Sequence, residues 1–439
     1  MTSKILVGNC IDVLSTLPDR SVQCVVTSPP YWGLRDYGTA QWEDGNEDCD
    51  HMVDRYSHNG VSEKQATNKA SGNKLARDAC PKCGAKRIDN QIGLEATPEE
   101  YVQHIVEIFR EIRRVLRDDG TLWLNLGDSY AGSGKGGGGG SISERGNHVE
   151  KMGGGTEHRK YGVHSGVVPQ GLKPKDLVGI PWMVAFALRN DGWYLRSDII
   201  WQKLNPMPES VRDRPTTAHE YIFFFTKSRR YFYDQDAVRE PHQKSTKERI
   251  KHGLKHTHPA DANVAIPPVN TKRMGERFAH ILGRNLRTVW TFALQPFKGA
   301  HFATFPEKLV ETPIKAGTSE LGACAKCGAP FKRITKKSQP PKEIRNREEV
   351  KMAYHTQSVG GGQIIQDWYD ANPAVTVDWE STCNHELSIA PCVVMDPFAG
   401  SGTVGVVAEK YGRDFVGIEL NPEYAQMALD RIDGARKRN

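Results

Sequence analysis

Three stretches of the sequence predict an α/β fold with a mostly parallel sheet. The run from Thr97 to Leu126 has the pattern of a helix followed by a strand, and the run from Cys392 to Ile432 alternates strand, glycine-rich turn, helix and strand. A mostly apolar run, Val22 to Val26, stops at the sequence TSPPYW as a buried strand stops at a turn. Such alternation is typical of a sheet covered by helices on its faces.

Length and composition restrict the class of protein. The chain has 439 residues, enough for two or three domains or for one large domain with insertions. Apolar residues make up 38% of the chain. No stretch approaches the roughly 18 apolar residues of a membrane span, and the start MTSKILVGNC lacks a basic segment followed by an apolar one. We expect an intracellular, cytoplasmic protein with no membrane contact.

The positive charge is concentrated in one segment. Between Pro241 and Trp290 there are ten Lys or Arg and three Asp or Glu, whereas the whole chain has a net charge of +6. A basic segment of this kind is typical of contact with a polyanion such as nucleic acid. A solvated, partly disordered loop would have the same composition, and charge alone leaves both interpretations open.

The helix and strand at 97–126 are predicted from capping and periodicity. Thr97, Pro98 and Glu100 form a capped helix start, and Asp119-Gly120 is predicted to end the helix. The helix has an apolar face at spacings of three and four: Val102, Ile105, Phe109, Ile112 and Leu116. The strand that follows is predicted from alternating apolar residues: Leu122, Leu124 and Leu126.

Three aromatic segments further on are predicted to be strands: GWYLRSDIIWQK, HEYIFFFTKS and RRYFYD. The last two are predicted to pair as a hairpin that turns near residues 227–229. Before them, the glycine-rich stretch from Ala131 to Gly155 predicts a mobile loop, because it has little apolar surface to bury. Its Gly134-Lys135 is not followed by Ser or Thr, which argues against a phosphate-binding P-loop.

The cysteines indicate zinc rather than disulfides. Two CxxCG pairs and two CxH pairs mirror each other along the chain, and each half supplies three thiolates and one imidazole, a set typical of structural zinc. The two predicted sites, within inserts at about 45–90 and 322–388, are Cys49, His51, Cys80 and Cys83, and Cys324, Cys327, Cys383 and His385. The CxH halves are distant from their partners, and Cys392 is an alternative ligand. Otherwise Cys10, Cys24 and Cys392 are predicted core residues.

The turn from Asp396 to Thr403 has the pattern of a cofactor loop. Gly400 and Gly402 allow the backbone to approach a ligand, and the amides of the following helix start favour an anionic group. Glu419 ends the next strand, where an acid can accept hydrogen bonds from ribose hydroxyls. The pattern indicates a nucleoside cofactor but does not separate a dinucleotide from S-adenosylmethionine.

DPFAGSGT with Glu419, together with TSPPYW, resembles the two signature motifs of DNA methyltransferases that modify exocyclic amino groups. The catalytic motif comes first and a basic segment lies between them, which is similar to the permuted β-group of that family. The resemblance implies a Rossmann-like, S-adenosylmethionine-dependent methyltransferase fold, circularly permuted and carrying zinc-binding insertions. One departure is Gly8-Asn9, where relatives often have Gly-Asp, so a cofactor contact from that acid is not expected here.

The resemblance also implies a division of labour along the chain. Residues 1–240 would form the catalytic part of one methyltransferase domain, 241–290 the target-recognition segment, and 291–439 the cofactor-binding part. The segment from His301 to Glu320 is similar to a further cofactor-contacting motif of the family. The cofactor-binding residues implied are Phe305, Asp396, Phe398, Gly400, Ser401, Gly402, Thr403 and Glu419.

TSPPYW suits the chemistry of amino methylation. The lone pair of a base amino group is delocalised into the ring, and hydrogen-bond acceptors at the Ser28 hydroxyl and the Pro29 carbonyl would localise it. Pro29 and Pro30 fix the backbone so that carbonyls face the substrate. Tyr31, with help from Trp32, would stack on a base turned out of the duplex. The alternative is a strand-ending turn with buried aromatic residues.

The function predicted is site-specific DNA methylation of an exocyclic amino group. Serine at position 28 favours cytosine N4, because within the family SPPY leans towards cytosine and DPPY towards adenine; adenine N6 is the alternative. Two further alternatives are a non-catalytic zinc-dependent nucleic-acid binder and methylation of RNA or of a protein amide. Double-stranded DNA is the predicted partner, and a cognate restriction endonuclease and a homodimer are left open. The two zinc ions are expected to brace inserts around the active-site cleft.

Overall fold

The computed structural model describes the greater part of the chain. The glycine-rich loop predicted at 131–155 lies outside the described residues apart from 131 and 132, and the basic segment 241–290 lies outside them apart from 241–242 and 283–290. Among the described residues, none of the helices is long and apolar enough to span a bilayer. The described residues are 2–33, 39, 41–46, 48–54, 73–75, 79–132, 168–169, 171–242, 283–295, 305–336, 341–347, 368, 371–372, 375–386 and 388–437.

The strands, numbered in chain order within this part of the chain, are β1 (Ser3–Val7), β2 (Val22–Thr27), β3 (Gln41–Glu43), β4 (Met52–Asp54), β5 (Asn73–Leu75), β6 (Lys86–Ile88), β7 (Leu116–Leu126), β8 (Tyr194–Lys203), β9 (His219–Thr226), β10 (Val289–Phe292), β11 (Ala323–Cys324), β12 (Lys332–Lys336), β13 (Val375–Glu380), β14 (Ile389–Ala390), β15 (Val393–Asp396) and β16 (Asp414–Glu419). The α-helices are α1 (Cys10–Ser15), α2 (Pro98–Val115), α3 (Ile180–Asn190), α4 (Glu307–Gly317), α5 (Lys342–Arg345), α6 (Thr403–Lys410) and α7 (Pro422–Arg436), and a 3₁₀ turn spans Asp236–Val238.

The central sheet has the strand order β1-β16-β15-β2-β7-β9-β8-β10. The first five strands run parallel, β9 is antiparallel to both of its neighbours, and β10 is parallel to β8. This arrangement confirms the predicted mixed, mostly parallel sheet. The first and last strands of the chain, β1 and β16, are neighbours in it.

Helices cover both faces of the sheet. Apolar residues of α1, α2 and α3 form the core on one face, and those of α4, α6 and α7 form the core on the other. The central strands are therefore buried on both sides, as in β2, where every residue is buried. Three layers of this kind are the usual solution for a parallel sheet, because crossover helices lie over its faces.

The predicted helix start at Thr97 is confirmed, whereas its predicted end is wrong. Thr97 and Glu100 form a reciprocal capping box at the start of α2. The helix stops at Val115, and β7 begins at Leu116 rather than after Asp119-Gly120. The alternation expected for a strand with one exposed face is also absent, since Trp123 and Asn125 are as buried as their leucine neighbours.

The strand predictions for the aromatic segments are confirmed for two of the three. GWYLRSDIIWQK contains β8 and HEYIFFFTKS contains β9, and these two strands pair with each other in antiparallel fashion. RRYFYD is not a strand, and the predicted hairpin near 227–229 is wrong. Its aromatic rings instead pack on the sheet, with Tyr231 and Tyr233 against Phe224.

Candidate active site

The two signature segments meet at the carboxyl edge of the sheet. β2 and β15 are adjacent parallel strands, so the turns that follow them lie side by side. The hydroxyl of Thr27 donates a 2.6 Å hydrogen bond to Asp396, across 369 residues of sequence. Ser28, the next residue, therefore stands beside the glycine-rich loop. Ligands of such sheets bind at this edge.

The SPPYW turn is held by hydrogen bonds from a neighbouring segment. The Tyr101 hydroxyl donates to the Pro30 carbonyl at 3.0 Å, and the Gly33 N–H donates to the Gly93 carbonyl at 2.8 Å. Trp32 is 8% exposed and donates its indole N–H to a backbone carbonyl. The expectation that Trp32 stacks on a base is therefore wrong, because its ring belongs to the core.

A polar network links the turn to strands β7, β8 and β9. The Tyr31 hydroxyl donates to a Glu220 carboxylate oxygen at 2.8 Å and lies 3.4 Å from the Ser28 hydroxyl. The Asn125 amide donates to the same Glu220 oxygen at 3.2 Å, and Lys203 donates to the other one. Burial, and after it the charge of Glu220, raises the pKa of Tyr31 well above its ordinary value. The phenol is therefore neutral.

The glycine-rich loop is organised around Glu419. Its carboxylate accepts the N–H groups of Gly400 at 2.8 Å and of Asn421 at 2.9 Å. Burial raises the pKa of Glu419. Gly400 has φ +49° and open space where a side chain would lie, so its backbone can be approached closely. A carboxylate has about four acceptor sites, which leaves capacity for ribose hydroxyls after these two bonds. These residues fit a nucleoside cofactor.

Gly402 is a glycine for a different reason than the sequence suggested. A Cβ there would lie 2.7 Å from the Ala428 Cβ, so the loop could not pack on α7 with any larger residue. Ser401 and Thr403 are 5% exposed and both contact the Arg431 guanidinium. Their contacts fix the loop from behind, and a direct cofactor contact by these two side chains stays a prediction.

Asp396 is buried between the two segments. One of its oxygens accepts the Thr27 hydroxyl and the Phe398 N–H, the latter at 3.0 Å. Burial raises the pKa of Asp396 to about 7, against the opposing effect of these hydrogen bonds. Its carboxyl links the carboxyl ends of β15 and β2, and a direct cofactor contact by Asp396 stays a prediction.

The remaining predicted cofactor residues are half-buried at or near this edge. Phe398 packs against the core on one face of the sheet and Phe305 against the core on the other.

Gly8 donates its N–H to the Glu419 carbonyl at 3.0 Å, and the Asn9 side chain caps α1 by accepting the Ile11 N–H. Asparagine thus performs the capping that an aspartate would also perform at this position.

Both predicted zinc-ligand sets come together. Within each set the ligand atoms lie within 4.8 Å of one another. The Cys49 and Cys80 sulfurs are 3.7 Å apart, and the Cys83 sulfur lies 3.5 Å from a His51 ring nitrogen. A tetrahedral zinc ion has bond lengths near 2.3 Å to sulfur and 2.0–2.1 Å to nitrogen. Two sulfur ligands of such an ion are about 3.8 Å apart, and a sulfur and a nitrogen ligand are about 3.6 Å apart. Both sets have the geometry of a zinc site.

The two CxxCG turns have the same backbone hydrogen bonds. Gly84 donates to the Cys80 carbonyl and Gly328 to the Cys324 carbonyl, each at 2.7 Å. Hydrogen bonds from backbone N–H groups lower the pKa of Cys83 to about 6. The thiolate, which is the form that binds metal, is therefore favoured. Cys392 lies outside both sets and is buried, as are Cys10 and Cys24, which confirms these three as core residues.

The two clusters lie at opposite edges of the sheet. The insert with the early cluster leaves and rejoins the fold beside Tyr31, where Gly33 and Gly93 are bonded. The late cluster contacts the amino ends of β2 and β7, since the Gly328 carbonyl accepts from Gln23 at 2.9 Å and the Cys327 carbonyl from Arg117. The expectation that both zinc sites brace the cleft is therefore wrong for the late one.

Sequence reasoning missed Glu220, Asn125 and Lys203. Each lies at the end of a strand that reaches the carboxyl edge, but the pairing of β7, β8 and β9 was not predicted. A carboxylate at the start of the aromatic run HEYIFFF was the available signal, because a charged residue beside a buried strand requires a partner.

An α/β sheet that brings a loop able to fit a nucleoside beside a rigid, polar turn suits a cofactor-dependent group-transfer enzyme. The chain matches the family model for DNA methylases that act on N6 and N4 positions, over residues 22–324 and 387–430. The Type II methyltransferase M.XycI of Xanthomonas campestris pv. cyanopsidis is 35% identical over 432 residues, which cover 98% of this chain and 88% of that protein. M.Cfr9I of Citrobacter freundii is 34% identical over 427 residues, 97% of this chain and 86% of the relative.

Among solved structures, that of the cytosine-N4-specific PvuII DNA methyltransferase aligns with a TM-score of 0.44 and 13% identity, and covers 100% of this chain and 92% of its own. The family match and the curated relatives settle the class. The chain belongs to the N6/N4 DNA methylase family, and it is an S-adenosylmethionine-dependent DNA methyltransferase of the amino-methylating type.

Proposed function

We propose that the enzyme methylates the N4 amino group of a cytosine that has been turned out of double-stranded DNA. The observation that carries this proposal is the Thr27–Asp396 hydrogen bond, because it places Ser28 next to the loop that fits the cofactor. Bound S-adenosylmethionine supplies an electrophilic methyl group. The protein's contribution is to present the base amine to that group with its lone pair localised.

Ser28 and Pro29 are the acceptors that we assign to the amine. The Ser28 hydroxyl donates towards Tyr31, which leaves its lone pairs for an N–H of the substrate. We assign the Pro29 carbonyl as the second acceptor, and the hydrogen bond that the Pro30 carbonyl accepts from Tyr101 supports this choice. Two accepted hydrogens would let the nitrogen become pyramidal and direct its lone pair at the methyl carbon.

The position of these acceptors supports extrusion of the base. Ser28 is half-buried at the sheet edge, and an amine within a base-pair stack could not reach it. Tyr31 is the aromatic residue that we assign to stack on the extruded base. Gly127 gives room for this ring, since a Cβ there would lie 2.6 Å from it.

The choice of cytosine rests on serine at position 28, because within the family the SPPY motif is more often associated with cytosine than with adenine. Adenine N6 is the second candidate, because a serine hydroxyl can serve either amine.

The target-recognition role is assigned to residues 241–290, and 1–240 and 291–439 to the catalytic and cofactor-binding parts of one permuted domain. The adjacency of β1 and β16 supports the permutation, since joined termini would leave the sheet intact.

Each Cys₃His cluster is assigned one structural Zn²⁺. Three thiolates and one imidazole close a tetrahedral shell and leave no position for a substrate, which is typical of structural rather than catalytic zinc. The kinship with Type II methyltransferases supports a cognate restriction endonuclease in the same cell, an intracellular location and duplex DNA as substrate.

The proposal is tested with methyl-labelled S-adenosylmethionine and mixed-sequence duplex DNA, followed by digestion to nucleosides. We expect label in N4-methyldeoxycytidine and at least about 10²-fold slower labelling by Ser28→Ala with an unchanged melting temperature. Label in N6-methyldeoxyadenosine would select the second candidate. Label in competing RNA or peptide but not in DNA would overturn the proposal.

A further inference from the structure

We propose that Glu220 is the terminal proton acceptor of the methylation reaction and that Ser28 and Tyr31 relay the proton to it. This inference rests on the proposed function, because it takes the Ser28 hydroxyl as the group that receives the substrate N–H. It adds a destination for the proton that the amine must lose.

The hydrogen bonds run in one direction from the turn to the carboxylate. The Ser28 hydroxyl donates to the Tyr31 oxygen at 3.4 Å, and the Tyr31 hydroxyl donates to Glu220 at 2.8 Å in preference to the Asn125 side-chain oxygen at 3.2 Å. The first distance is long, as catalytic hydrogen bonds often are before substrate binds. Each hydroxyl can therefore accept a proton on one side and release its own on the other.

The carboxylate is held in place by its other neighbours. Lys203, from β8, pairs with one Glu220 oxygen, and Asn125, from β7, donates to the oxygen that Tyr31 also contacts. Tyr31 itself cannot be the base, since burial raises the pKa of its phenol well above the ordinary value. The Lys203–Glu220 pair is mostly buried, with the two side chains 18% and 16% exposed.

The proton balance is complete with the groups present. As the amine nitrogen bonds to the methyl carbon, the carbon–sulfur bond breaks and its electron pair stays on sulfur. The nitrogen becomes positively charged and gives one proton to the Ser28 oxygen. Ser28 passes its own proton to Tyr31, and Tyr31 passes its own to the Glu220 carboxylate, which later releases it to water.

Glu220→Gln is the variant that tests the relay, because the amide oxygen can still accept from Tyr31 but binds protons far more weakly. We expect about 10²-fold slower single-turnover methyl transfer with unchanged Kd for S-adenosylmethionine and DNA. Tyr31→Phe should show a similar loss, and the double variant little further loss, because residues of one relay are not additive. Glu311→Gln is the matched control, since Glu311 of α4 also contacts a lysine and a tyrosine hydroxyl, but those partners, Lys410 and Tyr411, lie at the C-terminal end of α6.

The pH dependence separates proton acceptance from simple positioning. A relay that ends at Glu220 predicts that an acid-side fall in the wild-type rate is lost in Glu220→Gln. Among the described residues, the titratable groups in contact with Glu220 are Tyr31 from the turn and Lys203 from β8, and His219 and Tyr221 are its neighbours along its own strand. Protonation of Asp396, whose pKa is about 7, would also change the rate on the acid side. That change would be the same in the wild type and in Glu220→Gln.

Three results would contradict the relay. A Glu220→Gln rate equal to the wild-type rate would overturn it, and so would a slow variant that keeps the acid-side fall attributed to Glu220. Additive losses in the double variant would show that Tyr31 and Glu220 act separately. Absence of label in DNA with the wild-type enzyme would instead overturn the proposed function, and the relay with it.

Discussion

At the scale of single residues, two glycines of the same loop serve different purposes. Gly402 has φ +75° and no space for a Cβ against α7, whereas Gly400 has φ +49° and open space. The sequence motif alone gave both the same interpretation. Only the position of Ala428 separates a packing glycine from one whose backbone can be approached by a ligand.

Gly402→Ala should therefore lower the free energy of unfolding by about 2–4 kcal/mol, through overpacking and a left-handed backbone. Gly400→Ala should cost only about 1 kcal/mol from the backbone conformation while weakening S-adenosylmethionine binding. Denaturant unfolding and calorimetric titration of the two variants measure these effects. Equal destabilisation by both substitutions would contradict the distinction.

Asp396 should make stability depend on pH. Its folded-state pKa of about 7 lies above that of an unfolded aspartate, so the folded protein binds the extra proton between about pH 4 and 7. Its stabilising contribution is thus present at low pH and is lost as the pH rises through about 7. Relative to Asp396→Asn, the free energy of unfolding of the wild type should fall by up to about 4 kcal/mol between about pH 4 and 7.

The comparison with Asp396→Asn removes the effect of other groups. The asparagine oxygen can accept both the Thr27 hydroxyl and the Phe398 N–H, since one oxygen accepts both in the wild type. Urea unfolding of the two proteins at several pH values gives the difference between their free energies of unfolding directly. A difference that does not change with pH would show that Asp396 is ionised throughout.

At the scale of elements, the two Cys₃His clusters lie in different parts of the fold. The late cluster joins the amino ends of β2 and β7 to the strand pair β11–β14, which leads directly into β15. The early cluster closes an insert that begins and ends beside the Tyr31 turn. Loss of one ligand should therefore have a different consequence in each.

Cys327→Ala should lose one of two bound zinc ions and destabilise the whole domain by several kcal/mol, because the late cluster contacts β2 and β7 and is joined to β15 through β14. Cys83→Ala should lose the other ion and mainly reduce turnover. Elemental analysis, melting curves and methyl-transfer rates test both. Cys392→Ala, which alters a buried cysteine outside the clusters, should keep both ions, and a metal-free wild type would contradict the assignment.

Strand pairing was the element-level feature that the sequence did not reveal. Apolar content identified β8 and β9, but a hairpin was expected between β9 and RRYFYD because they are close in sequence. The longer 204–218 connection instead allows β8 to pair with β9. Closeness in sequence predicts strand pairing poorly, because an aromatic segment can pack on the face of a sheet instead of forming one of its strands.

At the scale of the whole molecule, the active site depends on strands that are distant in sequence. Thr27 and Asp396 are neighbours because β15 inserts between β16 and β2. The parallel arrangement then brings the turns after β2 and β15 and the acid at the end of β16 to one edge. The antiparallel strands β8 and β9 add Lys203 and Glu220 to the same edge.

The sequence by itself determined the cofactor loop, the acid after the next strand, the rigid SPPYW turn and the two metal-ligand sets, because local backbone geometry and ligand chemistry fix all of these at short spacing. Tertiary structure alone decided that Trp32 is core, that Gly402 packs on α7, that the late cluster lies away from the cleft, and that Glu220 contacts Tyr31. Those features depend on which strands become neighbours, and that is set by packing across the whole sheet rather than by any local pattern.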